Sequence, residues 1–65
     1  MPNVTGPDLR RERRAAELTV IAVASKMNLS RQTIHNLERS AAPETARVEQ
    51  YRQALDDLRA ATVSA

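Results

Sequence analysis

The side chains best equipped for chemistry in this chain are Arg31, Gln32, His35, Asn36 and Arg39. A helical step of about 100° per residue puts these five on one side and Thr33, Ile34, Leu37 and Glu38 on the other. One flank is polar and basic, and its reverse is largely apolar. Arg donates paired hydrogen bonds to guanine, Gln and Asn pair with adenine, and a helix fits the major groove. This arrangement predicts a recognition surface for duplex DNA.

Other chemistry has less support. His35 is the one histidine and there is no cysteine, so no second His or Cys exists to share a metal, and no nucleophile stands beside the ring. Asp56 and Asp57 are adjacent, and adjacent helical residues point in different directions, which rules out a working carboxylate pair. The expectation is no catalytic residue, no metal site and no cofactor.

The elements that must hold the basic flank follow from spacing. Ser30 caps a helix over Arg31–Arg39. Before it, Val20, Val23, Ala24 and Met27 recur at i, i+3, i+4 and i+7, the stripe of a buried helix that Thr19 caps. The β-branched run Thr19–Ala24 favours a strand locally. Its alternation is imperfect, and no second strand of like quality is available, so the helix is preferred. Ile21 falls off the stripe, either as a lone surface apolar residue or as part of a contact patch. Asn28 tolerates the left-handed conformation that the turn between the two helices needs, and Leu29 plugs that turn into the core.

Upstream, Pro7 suits the first position of a helix reaching about Glu17. Its inward stripe is Leu9, Arg13 and Ala16, with Leu18 sealing the corner. An arginine on such a stripe requires a carboxylate, and Glu38 at the edge of the core face is the partner expected. Arg10, Arg11 and Arg14 lie off the stripe as solvated charge or as phosphate contacts. Downstream, Ser40–Pro43 forms a linker, and a last helix runs from Pro43 to about Ala61. Val48, Tyr51, Leu55 and Leu58 form its stripe, with Thr62 at the next step, and Glu49, Arg52, Gln53, Asp56 and Arg59 its outer face. That spacing averages about 3.5 residues, which suits packing on the domain and also a short two-helix seam. Tyr51, Leu55 and Leu58, with Ile21, are therefore the candidate dimer contacts. The layout is a flexible tail over 1–6, one domain over 7–61, and frayed residues 62–65.

With 65 residues, the chain buries only about 60% of its unfolded surface and has no room for a deep catalytic cleft. The lack of cysteine suits a reducing compartment, and cytoplasm is expected. No apolar run nears the roughly 20 residues of a membrane span, and the start shows no leader pattern. Net charge is +2, unevenly spread: seven basic and four acidic residues up to Arg39, three and four after it. The basic front half favours a polyanion, and the near-neutral remainder suits packing or another protein.

The segment Leu9 to Leu55 resembles the phage repressor and Cro type of helix-turn-helix DNA-binding domain, XRE-like and lambda-repressor-like. The resemblance is carried by Leu9, Arg13, Leu18-Thr19, Val23-Ala24, Leu29-Ser30, Ile34, Leu37-Glu38, Pro43 and Ala54-Leu55. It implies an all-α fold of four, or at most five, helices. It also implies base reading by Arg31, Gln32 and Asn36 with His35 flanking, phosphate contacts from Thr33 and Arg39, and an Arg13–Glu38 ion pair. Arg10 and Arg14 of the arginine-rich first helix would add phosphate contacts. A homodimer on a palindromic operator, with half-sites about 34 Å apart, is the usual working form of such a module. Three features depart from the family. Val20 replaces a phosphate-contacting Gln, Asn28 and Ser40 stand where Gly is preferred, and the loop after Leu55 is missing.

Two other readings compete. A protein-interaction module of antitoxin or anti-repressor type would keep this fold and use the last helix with Val20 and Ile21. A basic amphipathic membrane peptide is disfavoured, because the first helix has too narrow an apolar face.

Overall fold

Thr5 opens the first helix with a reciprocal cap in the computed structural model, which describes residues 4–63. Its hydroxyl accepts from the Asp8 N–H at 3.3 Å, and the Asp8 carboxylate accepts from the Thr5 N–H at 3.0 Å. Two donors that a helix start leaves without partners are thereby satisfied. Helix α1 spans Gly6–Ala15 with Pro7 in its first turn. The tail expected over 1–6 is corrected at its inner end, where Thr5 and Gly6 belong to the domain; residues 1–3 lie outside the described ones. Gly6 is there for space. A Cβ on it would meet the carbonyl carbon of Glu38 at 2.6 Å and its oxygen at 2.7 Å, and its N–H donates to the Ser40 carbonyl at 2.7 Å.

Helix α1 ends earlier than the expected Glu17, because Glu17 itself turns left-handed at φ 59°. The Leu18 N–H then reaches back to the Arg13 carbonyl at 3.2 Å, and the Glu17 N–H to that of Arg14 at 3.0 Å. That pair of bonds satisfies the last carbonyls and lets Leu18 fold under the helix. Helix α2 (Val20–Met27) closes the same way. Asn28 adopts φ 59°, and the Leu29 N–H donates to the Ala24 carbonyl at 2.9 Å. Thr19 and Ser30 cap α2 and α3 (Arg31–Arg39), their hydroxyls accepting from the Ala22 and Thr33 amides at 3.1 Å each. Helical packing overrides the strand preference of the β-branched run.

Helix α4 (Thr45–Val63) starts two residues beyond the expected Pro43, with the Glu44 carbonyl taking the first helical bond from Val48 at 3.0 Å. It also outruns the expected end at Ala61, so the fraying assigned to 62–65 does not hold for the backbone of Thr62 and Val63. Residues 64–65, and the place of the Thr62 side chain on the stripe, lie outside the described residues. The described chain is thus all-helical with four helices and no strand. None of the helices is long and apolar enough to cross a membrane.

α1 packs on α3 and α4, and α2 packs on the same two. At the centre Leu9, Val23, Ile34 and Tyr51 are fully buried, ringed by Ala24, Leu37, Val48, Ala54 and Leu55. Burying a large aliphatic side chain contributes about 1.5–3 kcal/mol, and so few are available that α4 must supply its share. This overturns the assignment of Tyr51 and Leu55 as dimer contacts: at 0% and 4% exposure they are enclosed within one copy of the chain. Leu58 is half-buried against the core, and Ile21 remains 60% exposed.

Candidate nucleic-acid interface

Helix α3 presents two faces of opposite character. Ile34, Leu37 and Glu38 are buried, while Arg31, Gln32, His35, Asn36 and Arg39 are exposed. Thr33 is half-buried at the boundary, its hydroxyl 2.9 Å from that of Ser30. The five side chains that spacing grouped together therefore share one solvent-facing surface.

Two of these side chains are coupled. The Gln32 amide nitrogen donates to the Asn36 carbonyl oxygen at 3.0 Å, one helical turn further on. Gln32 keeps its own carbonyl oxygen and its second amide hydrogen, which are the acceptor and donor that N6 and N7 of adenine require. The coupling restricts the Gln32 rotamer and so lowers the entropy cost of using that pair.

The surface has a rigid underside. The Arg13 guanidinium grips Glu38 with two bonds, 2.8 Å from Nε to Oε2 and 3.2 Å from Nη2 to Oε1, and its Nη1 donates to the Leu18 carbonyl at 2.9 Å. Glu38 is 4% exposed, and its carboxylate also accepts from the Tyr51 hydroxyl at 2.5 Å. One carboxylate thus joins α1, α3 and α4. Burial by itself raises the pKa of Glu38, but the bonds from Arg13 and Tyr51 outweigh it and hold the group below its ordinary range. Burial first, then the Glu38 carboxylate, push the Tyr51 hydroxyl upward. The pair with Glu38 raises Arg13, so the pair stays charged.

Charge is sorted over the molecule. Arg11 pairs with Asp8, Arg52 with Glu12 at 2.8 Å, and Lys26 loosely with Asp57 at 3.9 Å. Among the described residues Arg10, Arg14, Arg31, Arg39, Arg47 and Arg59 have no carboxylate within reach. Four of these six belong to α1 and α3, and two of the four, Arg10 and Arg39, meet beside His35 of the polar flank.

Spacing along single helices did not reveal the Tyr51–Glu38 bond or the Arg52–Glu12 bridge. A usable signal existed for the first: a tyrosine on an apolar stripe needs a partner for its hydroxyl, and Glu38 stands at the edge of the core face as the carboxylate expected for Arg13. No protein-family description, curated protein or solved structure matches the chain, so the reading of this surface rests on its own geometry.

Proposed function

We propose that this chain is a sequence-specific duplex-DNA-binding transcriptional regulator of repressor or Cro kind, with α3 entering the major groove. Arg31, Gln32 and Asn36 select bases, with His35 flanking them, and Arg10, Arg14, Thr33 and Arg39 meet the phosphate backbone. The observation that carries this is one exposed helix face on which unpaired guanidinium groups flank an oriented Gln32–Asn36 amide pair. Guanidinium groups supply salt-dependent affinity, and oriented amides supply selectivity. In this reading the protein acts as a homodimer on a palindromic operator, and Ile21 and Leu58 are the contacts left for the dimer. Repeated selection of bound fragments from a random duplex pool tests the proposal. A palindromic consensus with half-sites one helical turn apart is expected, and a pool that never converges overturns it.

A second reading, a protein-interaction module of antitoxin or anti-repressor type, draws on a groove of about 440 Å³ between α2 and α4 with Met27 and Ala54 in its lining. The 60% exposed Ile21 of α2 adds to it. Mass measurements at several concentrations, with and without nonspecific duplex, separate the two. Tight protein association without salt-sensitive DNA binding favours the second.

A further inference from the structure

The cleft where α1 meets α3 is lined by Arg10, Arg13, His35, Glu38 and Arg39. Arg13 and Glu38 form its inner wall and satisfy one another. At its mouth stand Arg10, Arg39 and His35, all exposed, the two arginines without a carboxylate. Two helices thus bring two cations and an imidazole together around a concavity whose only carboxylate is already taken. His35 is separated here from its neighbours on the polar flank, since Arg31, Gln32 and Asn36 do not line this cleft.

We propose that this cleft seats one phosphodiester of the DNA backbone, with Arg10 and Arg39 as its charges and His35 as a hydrogen-bond donor, and that His35 works there rather than at a base edge. The inference rests on the duplex-binding reading above. It has a consequence that base reading lacks. Imidazole is the side chain whose ordinary titration falls between pH 5 and 8. The groups facing the ring are Arg10 and Arg13 from α1 and Glu38 and Arg39 from α3. A seated phosphate adds an anion beside Arg10 and Arg39 and favours the imidazolium. Duplex binding therefore takes up a proton at His35.

The experiment is fluorescence anisotropy with a labelled mixed-sequence duplex, from pH 8 to pH 6 at fixed ionic strength and then across a salt series at pH 7. The unsubstituted chain is expected to bind about three- to tenfold tighter at pH 6 than at pH 8, inside the roughly hundredfold ceiling that one linked proton sets over this interval. His35→Gln keeps a neutral donor and should flatten that dependence. Arg10→Ala and Arg39→Ala should each lower the salt slope, together by about one phosphate contact, because both act on one phosphodiester. Arg59→Ala, in the cleft between α1 and α4, should leave it unchanged. Thermal melting of each variant confirms folding. Salt-sensitive binding with no pH dependence, a pH dependence that survives His35→Gln, or salt slopes unmoved in both arginine variants overturns the phosphate seat and leaves the DNA reading standing. A chain with no salt-sensitive duplex binding overturns both.

Discussion

The hydroxyl of Tyr51 on α4 and the Nε of Arg13 on α1 converge on one atom, Oε2 of Glu38, at 2.5 and 2.8 Å. The side chain that keeps α3 in place is thus satisfied from two other helices, α1, which packs on α3, and α4, which reaches it only through the Tyr51 side chain. Tyr51→Phe removes one of these bonds and almost no volume. A hydrogen bond to a charged group contributes about 1.5–3 kcal/mol, so a loss near 2 kcal/mol is expected in urea denaturation, with the helical spectrum retained. A neutral result would mean that Arg13 alone satisfies the carboxylate.

Glu38→Gln is the harsher change, because it leaves the Arg13 charge buried without its counterion. Breaking a buried pair costs about 3–5 kcal/mol, a large share of the stability of so short a chain.

The acid limb of stability should carry the signature of Glu38. Its folded pKa lies below its ordinary value, so its contribution is present above the unfolded titration, at about pH 4.3, and disappears as pH falls through the lower folded value. Tyr51 has the opposite sign. Its folded pKa is raised, so its contribution is whole below about pH 10 and is lost as pH rises through the folded value. Urea midpoints against pH should show Glu38→Gln losing the acid-dependent part and Tyr51→Phe the alkaline part.

Gly6→Ala sets two effects against each other. Alanine inside a helix is favoured over glycine by about 1 kcal/mol, but the new methyl would press on the Glu38 carbonyl at 2.6 to 2.7 Å. Backbone cannot swing aside as a side chain can, and overpacking of this kind costs about 1–3 kcal/mol. A net loss of stability is therefore expected, and a raised melting temperature would show that α1 can retreat from α3.

Glu17→Gly should act in the other direction. Glu17 holds a left-handed backbone at φ 59°, which costs a residue bearing a Cβ about 1–2 kcal/mol. Part of that relief is offset by the entropy of glycine in the unfolded chain. A gain of about 0.5–1 kcal/mol in the denaturation midpoint is the expected outcome.

On DNA, Gln32→Ala should cost about 1–3 kcal/mol at one base position. Asn36→Ala should erode discrimination at that position too, because it frees the Gln32 rotamer. The two losses should fall short of additive in a double-mutant cycle. Arg14→Ala, by contrast, should weaken all sequences alike and flatten the salt dependence by about one contact.

Much of this molecule was legible one helix at a time. The caps at Thr19 and Ser30, the stripe through Val23 and Ala24, the left-handed Asn28 and the split faces of α3 depend on neighbours three or four residues apart, and those neighbours stand in the sequence. The Arg13–Glu38 pair spans 25 positions, yet it could be inferred because a charge on an apolar stripe demands an opposite charge. Tertiary packing alone decided the rest. Nothing local at Gly6 announces that the end of α3 passes against it, nor at Glu17 that the chain must turn left-handed to bring Leu18 beneath α1. Nothing in the spacing of Tyr51 and Leu55 chooses between a core and a dimer seam, since both ask for the same stripe. Packing chose the core, because α1 to α3 have too few apolar side chains to enclose themselves and α4 is the surface on which they close.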